Sequence, residues 1–63
     1  MLKWEYAVTF EFTEAPPVTE RGHVASGSLH TAASRALKAA RKARPRVRPS
    51  SVVIVVQKAD ERN

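Results

Sequence analysis

Lys3-Trp4-Glu5-Tyr6-Ala7-Val8-Thr9-Phe10-Glu11-Phe12-Thr13 is the stretch that decides the fold. In an extended chain Trp4, Tyr6, Val8, Phe10 and Phe12 share one side, and Lys3, Glu5, Ala7, Thr9 and Glu11 share the other. A period of two in aromatic and β-branched residues reads as a strand with one buried face. All four aromatic residues of the protein lie on that face, so this strand needs a covering layer and is the candidate for the centre of a sheet. Ala15-Pro16-Pro17 ends it, because two prolines remove two backbone donors and restrict the residue before them. Extended character resumes at Val18-Thr19-Glu20-Arg21-Gly22-His23-Val24-Ala25-Ser26. Weak alternation and an internal glycine mark an edge strand or one carrying a bulge. A hairpin over residues 3–26 is the natural pairing.

The next segment changes period. At 100° per residue, Leu29, Ala32, Ala33, Ala36, Leu37, Ala39, Ala40 and Ala43 fall within an arc of about 160°. Ser34, Arg35, Lys38, Arg41 and Lys42 occupy the opposite side, which predicts an amphipathic helix over residues 29–44. Ser28 supplies an N-cap oxygen, with Thr31 as an alternative, and the cationic last turn suits the negative end of the helix dipole. Pro45 stops the helix. An almost all-alanine face lets the helix lie close to the sheet while the strand aromatics fill the space.

Arg44-Pro45-Arg46-Val47-Arg48-Pro49 then reads as a basic arm near polyproline II geometry. Ser51-Val52-Val53-Ile54-Val55-Val56-Gln57-Lys58 is a strand, since five consecutive β-branched residues favour a sheet over a helix. The predicted architecture is α+β in the order β-β-α-β. It comprises a three-stranded sheet ordered 2-1-3, with the helix on one face and crossing over between two parallel strands. Five apolar residues in a row are too many to hide under one helix, so some must face outward. Val53 and Val55 are the named candidates for a dimer or partner surface, with Val52, Ile54 and Val56 as the alternative set.

Sixty-three residues permit one small domain, 1–63, with a polar tail at 60–63 that is expected to fray. Ten alanines among the apolar residues make a thin core. Domains below about 70 to 80 residues commonly need a disulfide, a metal or a partner. With no cysteine and two histidines, self-association is the remaining route, and a homodimer is expected. No apolar run approaches a membrane span, and Met1-Leu2-Lys3-Trp4-Glu5 lacks the order of a signal peptide. The expected location is therefore cytoplasmic. The lean towards Ala, Val, Arg and Pro is associated with GC-rich genomes.

Catalytic and metal chemistry find no support in the residue pattern. His23 and His30 have neither cysteine nor an acidic cluster beside them, and each reads as an ordinary surface residue. The two glycines, Gly22 and Gly27, make no phosphate loop, and no serine has a nucleophile-elbow context. Glu5 and Glu11 share a strand face but stand roughly 20 Å apart, too far for a carboxylate pair. A non-enzyme without cofactor or metal is expected.

Charge carries the informative signal. The net charge is +5, but residues 1–20 hold one basic and four acidic residues while residues 21–63 hold ten basic and two acidic. Within residues 35–48, Arg35, Lys38, Arg41, Lys42, Arg44, Arg46 and Arg48 are seven cations with no intervening anion. A solvated helix face is ordinarily charged, yet it ordinarily mixes signs. Four cations on the helix and three on the arm form a candidate track for a phosphate backbone, and arginine forks suit phosphate better than lysine does. Trp4, Tyr6, Phe10 and Phe12 as a base-stacking platform is the rival reading, but their alternation opposite an alanine-faced helix makes them core. Membrane binding is weak, because alanines with two leucines give little insertion energy.

Trp4-Glu5-Tyr6-Ala7-Val8-Thr9-Phe10, Thr31-Ala32-Ala33-Ser34-Arg35-Ala36-Leu37-Lys38-Ala39-Ala40 and Ser51-Val52-Val53-Ile54-Val55-Val56 together carry a resemblance of style. Across nearly its whole length the chain resembles the short proteins of actinobacterial phages and integrative elements. That resemblance implies a bacterial accessory protein acting on DNA or on a host protein, and it transfers no functional residue. The β-β-α order is also similar to the antitoxin domain of the HicB type. The glycine-rich and acidic signature of that family is missing here, so its function is not carried over. The leading expectation is a nucleic-acid-binding accessory protein that favours duplex DNA. The alternative is a phage-type inhibitor or adaptor docking on an acidic host protein.

Overall fold

A computed structural model describes residues 2–59, so the tail expected at 60–63 lies outside the described residues. The elements follow the predicted order: β1 (Leu2–Glu11), β2 (Val18–Ser26), α1 (Leu29–Ala43) and β3 (Ser51–Lys58). They form an α+β fold in which a three-stranded sheet ordered β2-β1-β3 carries the helix on one face. β1 pairs antiparallel with both neighbours, so β2 and β3 run parallel to each other on either side of it.

The alternation in β1 sorts its side chains as expected. Val8 and Phe10 are fully buried, Trp4 nearly so, and Tyr6 and Phe12 pack partly buried against the same cluster. From the helix, Ala32, Ala36 and Ala40 meet this layer with no exposure at all. Small residues on the helix let its axis approach the sheet, and the large strand residues fill the gap. Burial of side chains such as Phe10 and Val8 is worth about 1.5 to 3 kcal/mol each. Leu29 and Ala43 belong to the apolar arc but stand at the first and last positions of the helix, where both are exposed.

Two buried polar contacts fix the β2–α1 junction. The Trp4 indole N–H donates to the Ser26 carbonyl at 3.0 Å, which satisfies the one polar atom of a buried aromatic. Ser26 is itself fully buried, and its hydroxyl donates to the Ser28 carbonyl (2.9 Å) while accepting from the Ser28 N–H (3.2 Å). The Ser28 oxygen then accepts from the Thr31 N–H at 3.2 Å and caps the helix as predicted. At the other end Arg44 takes the C-cap position, its N–H directed at the carbonyls of Ala40 and Arg41.

The β1–β2 register runs from Leu2↔Ser26 to Phe10↔Val18 without interruption, so β2 is the expected edge strand but carries no bulge. Its glycine has a different role. Gly22 pairs with Tyr6, and a Cβ at position 22 would stand 2.6 Å from the Tyr6 hydroxyl oxygen and 2.8 Å from Cζ. The missing side chain is the space in which the Tyr6 ring lies.

The face away from the helix is open. Of the two sets of apolar residues in β3, Val52, Ile54 and Val56 turn to the helix side, and Val53 and Val55 are exposed at 44% and 54%. Around them the face is polar. Thr9 and Thr19 share a hydroxyl hydrogen bond at 2.9 Å, and the Gln57 amide donates to Glu5 at 3.4 Å.

Candidate nucleic-acid interface

Chain direction places the candidate residues. β1 ends, β2 begins, α1 ends and β3 begins at the same end of the molecule, so the arm over residues 44–50 closes that end. Its far end is fastened to β1. The Ser50 N–H (2.8 Å) and hydroxyl (3.0 Å) both donate to the Glu11 carbonyl, and the Ser51 hydroxyl donates to the Glu11 carboxylate at 2.7 Å. Val47 packs inward against the core, which holds the arm down in its middle. Two prolines and one partly buried valine therefore leave Arg46 and Arg48 exposed on either side of an anchored residue.

The seven predicted cations do not form one continuous track. Arg41, Arg46 and Arg48 line a single open cleft of about 510 Å³, floored by Val47 and Val52 and bounded by Pro45, Pro49, Ser50 and Ser51. Lys38 and Lys42 are exposed on the outer side of the helix, close to this end. Arg35 and Arg44 are engaged elsewhere. The Arg35 guanidinium donates to the Ala25 carbonyl on the outer edge of β2, and Arg44 Nε donates to Glu20 Oε2 in an ion pair. The one-signed run of the sequence is thus broken in space by an anion from β2, and the cations without an ion-pair or hydrogen-bond partner among the described residues are Lys38, Arg41, Lys42, Arg46 and Arg48.

Three guanidiniums around one cleft produce a concentrated positive potential, and forked donors of this kind match the tetrahedral oxygens of phosphate. The C-terminal end of a helix carries partial negative charge, which Arg41 and Lys42 in the last turn offset. Of the four aromatic residues in the stacking alternative, Trp4 and Phe10 are buried and present no face to a base, while Tyr6 and Phe12 are partly buried against the core cluster.

His23 and His30 are both exposed. Among the described residues no three His, Asp or Glu side chains gather as a metal site. No helix in the described residues is long and apolar enough to cross a membrane. No family model, curated protein or solved structure matches the chain.

Proposed function

We propose that this protein is a small non-enzymatic accessory protein that binds nucleic acid, with duplex DNA favoured, through phosphate contacts from Arg41, Arg46 and Arg48. Lys38 and Lys42 extend the contact along the helix. The observation that carries the reading is the convergence of three arginines on one open cleft held by an anchored arm. Phosphate contacts release counterions, so five of them give a slope of about −4.5 in log K against log salt. Fluorescence anisotropy with duplex and single-stranded oligonucleotides at several salt concentrations tests it, and absence of binding at about 50 mM salt, where such contacts are strong, overturns it.

The protein acts in this reading as a cytoplasmic homodimer of phage or mobile-element origin. The support for the dimer is the exposure of Val53 and Val55 on a domain whose core is thin. The same pair of valines supports a second reading, an adaptor or inhibitor docking on an acidic host protein. Binding through valines keeps its strength in salt, whereas binding through phosphate contacts does not. A pull-down from host lysate with and without nuclease separates the two.

A further inference from the structure

The two edges of the sheet are finished differently. In β1–β3 the Ala59 N–H donates to the Lys3 carbonyl at 2.9 Å, which makes Lys3 and Ala59 a hydrogen-bonded pair. Such pairs alternate along an antiparallel ladder. The odd residues of β3 therefore direct their N–H and C=O groups to β1, and Val52, Ile54, Val56 and Lys58 direct theirs outward. On β2 the outward set is the odd one, in agreement with the Ala25 carbonyl being free to accept from Arg35. That edge is guarded by the arginine contact and by the charges of Glu20 and Arg21. Among the described residues the β3 edge has no such protection. Residues 49–57 contain no charge, and among the described residues no side chain donates to a β3 carbonyl. An uncovered, uncharged, β-branched edge is a template for another strand.

The sequence of that edge is a palindrome. Val52-Val53-Ile54-Val55-Val56 reads the same in both directions, and Ser51 and Gln57 add a polar residue at each end. Its centre, Ile54, is one of the residues whose backbone groups point outward. Two copies related by a two-fold axis through Ile54 would pair Ile54 with Ile54, Val52 with Val56, Val53 with Val55 and Ser51 with Gln57. The outward N–H and C=O groups of residues 52, 54 and 56 are then all satisfied. Shifting the centre to Val53 brings Arg48 opposite Lys58, two like charges, and shifting it to Val55 sets Lys58 against Val52. The Ile54 register sets seven uncharged residues against seven.

We propose that a second copy of this chain pairs antiparallel along β3, centred on Ile54, to give one six-stranded sheet. This deepens the dimeric assembly proposed above and rests on it, but is independent of nucleic-acid binding. The two-fold axis stands perpendicular to the sheet, so both helices lie on the same side. The two arms leave the paired strands roughly 20 Å apart along β3, six residues at about 3.3 Å each.

Paired substitutions on the open face test the register. Val53→Lys with Val55→Lys sets lysine opposite lysine twice, whereas Val53→Glu with Val55→Lys sets glutamate opposite lysine twice. Light scattering at micromolar concentration should give a dimer for the unmodified chain and for the Glu/Lys variant, and a 7 kDa monomer for the Lys/Lys variant. If both variants become monomers the sheets stack face to face, and if both stay dimeric the contact lies elsewhere. Either result overturns edge pairing while leaving a dimer in place. A monomeric unmodified chain leaves the edge to a strand from another protein and overturns the dimer as well. Should a variant fail to fold, a synthetic chain N-methylated at Ile54 blocks that outward N–H without touching the β1 ladder, and it must be a folded monomer.

Discussion

Arg44, at the C-cap of the helix, donates through Nε to the Glu20 carboxylate near the start of β2. This contact joins the basic arm to the acidic half of the chain, and it withdraws one arginine from the cationic surface that the sequence displays. The pair is partly exposed, with side-chain exposures of 47% for Arg44 and 23% for Glu20. Its contribution to stability is therefore about 0.2 to 1 kcal/mol.

Its larger consequence concerns binding. Glu20→Gln removes the anion and releases Arg44 for phosphate, so the salt slope should steepen to about −5.4, one further contact at roughly −0.9. Arg44→Ala should leave the slope of the unmodified protein unchanged. Anisotropy titrations of both variants check the pair of expectations.

Gly22→Val places a branched side chain where the Tyr6 ring lies. Overpacking of this kind lowers stability by about 1 to 3 kcal/mol. In a Tyr6→Ala background the same substitution fills the vacated space and gains strand preference, so it should be neutral or stabilising. Urea denaturation of the four chains of this double-mutant cycle measures the coupling, and equal effects in both backgrounds would contradict the assignment.

Ala36 is fully buried in the middle of the helix against the strand aromatics. Ala36→Leu should push α1 off the sheet and lower stability by about 1 to 3 kcal/mol, read from the urea midpoint. Ser34→Ala, on the exposed side of the same helix, should change stability by less than about 0.5 kcal/mol.

β1 and the helix were legible because each is written in a local period, and β3 because its β-branched residues run together. Trp4, Tyr6, Val8 and Phe10 announce β1 by alternation, and Pro45 with Ser28 brackets the helix to within a residue of its observed ends. The five β-branched residues of β3 did not say which set faces the helix, because both parities are apolar. Register against β1 decides it. Gly22 marked β2 as an edge strand or one carrying a bulge and did not disclose its own role, because its partner, Tyr6, lies on another strand and no local pattern records a cross-strand neighbour. The candidate interface was legible as charge and illegible as geometry. Arg35 and Arg44 look the same as Arg41 and Arg46 in sequence, and only the folded chain brings Ala25 and Glu20 to them.

The central claim is that Arg41, Arg46 and Arg48 act together on phosphate. The most direct measurement compares the salt dependence of duplex DNA binding for the unmodified protein with that of the triple variant Arg41→Ala, Arg46→Ala, Arg48→Ala. Losing three of five contacts should reduce the slope from about −4.5 to about −1.8. An unchanged slope in a folded triple variant, or no binding by the unmodified protein at low salt, would contradict the account.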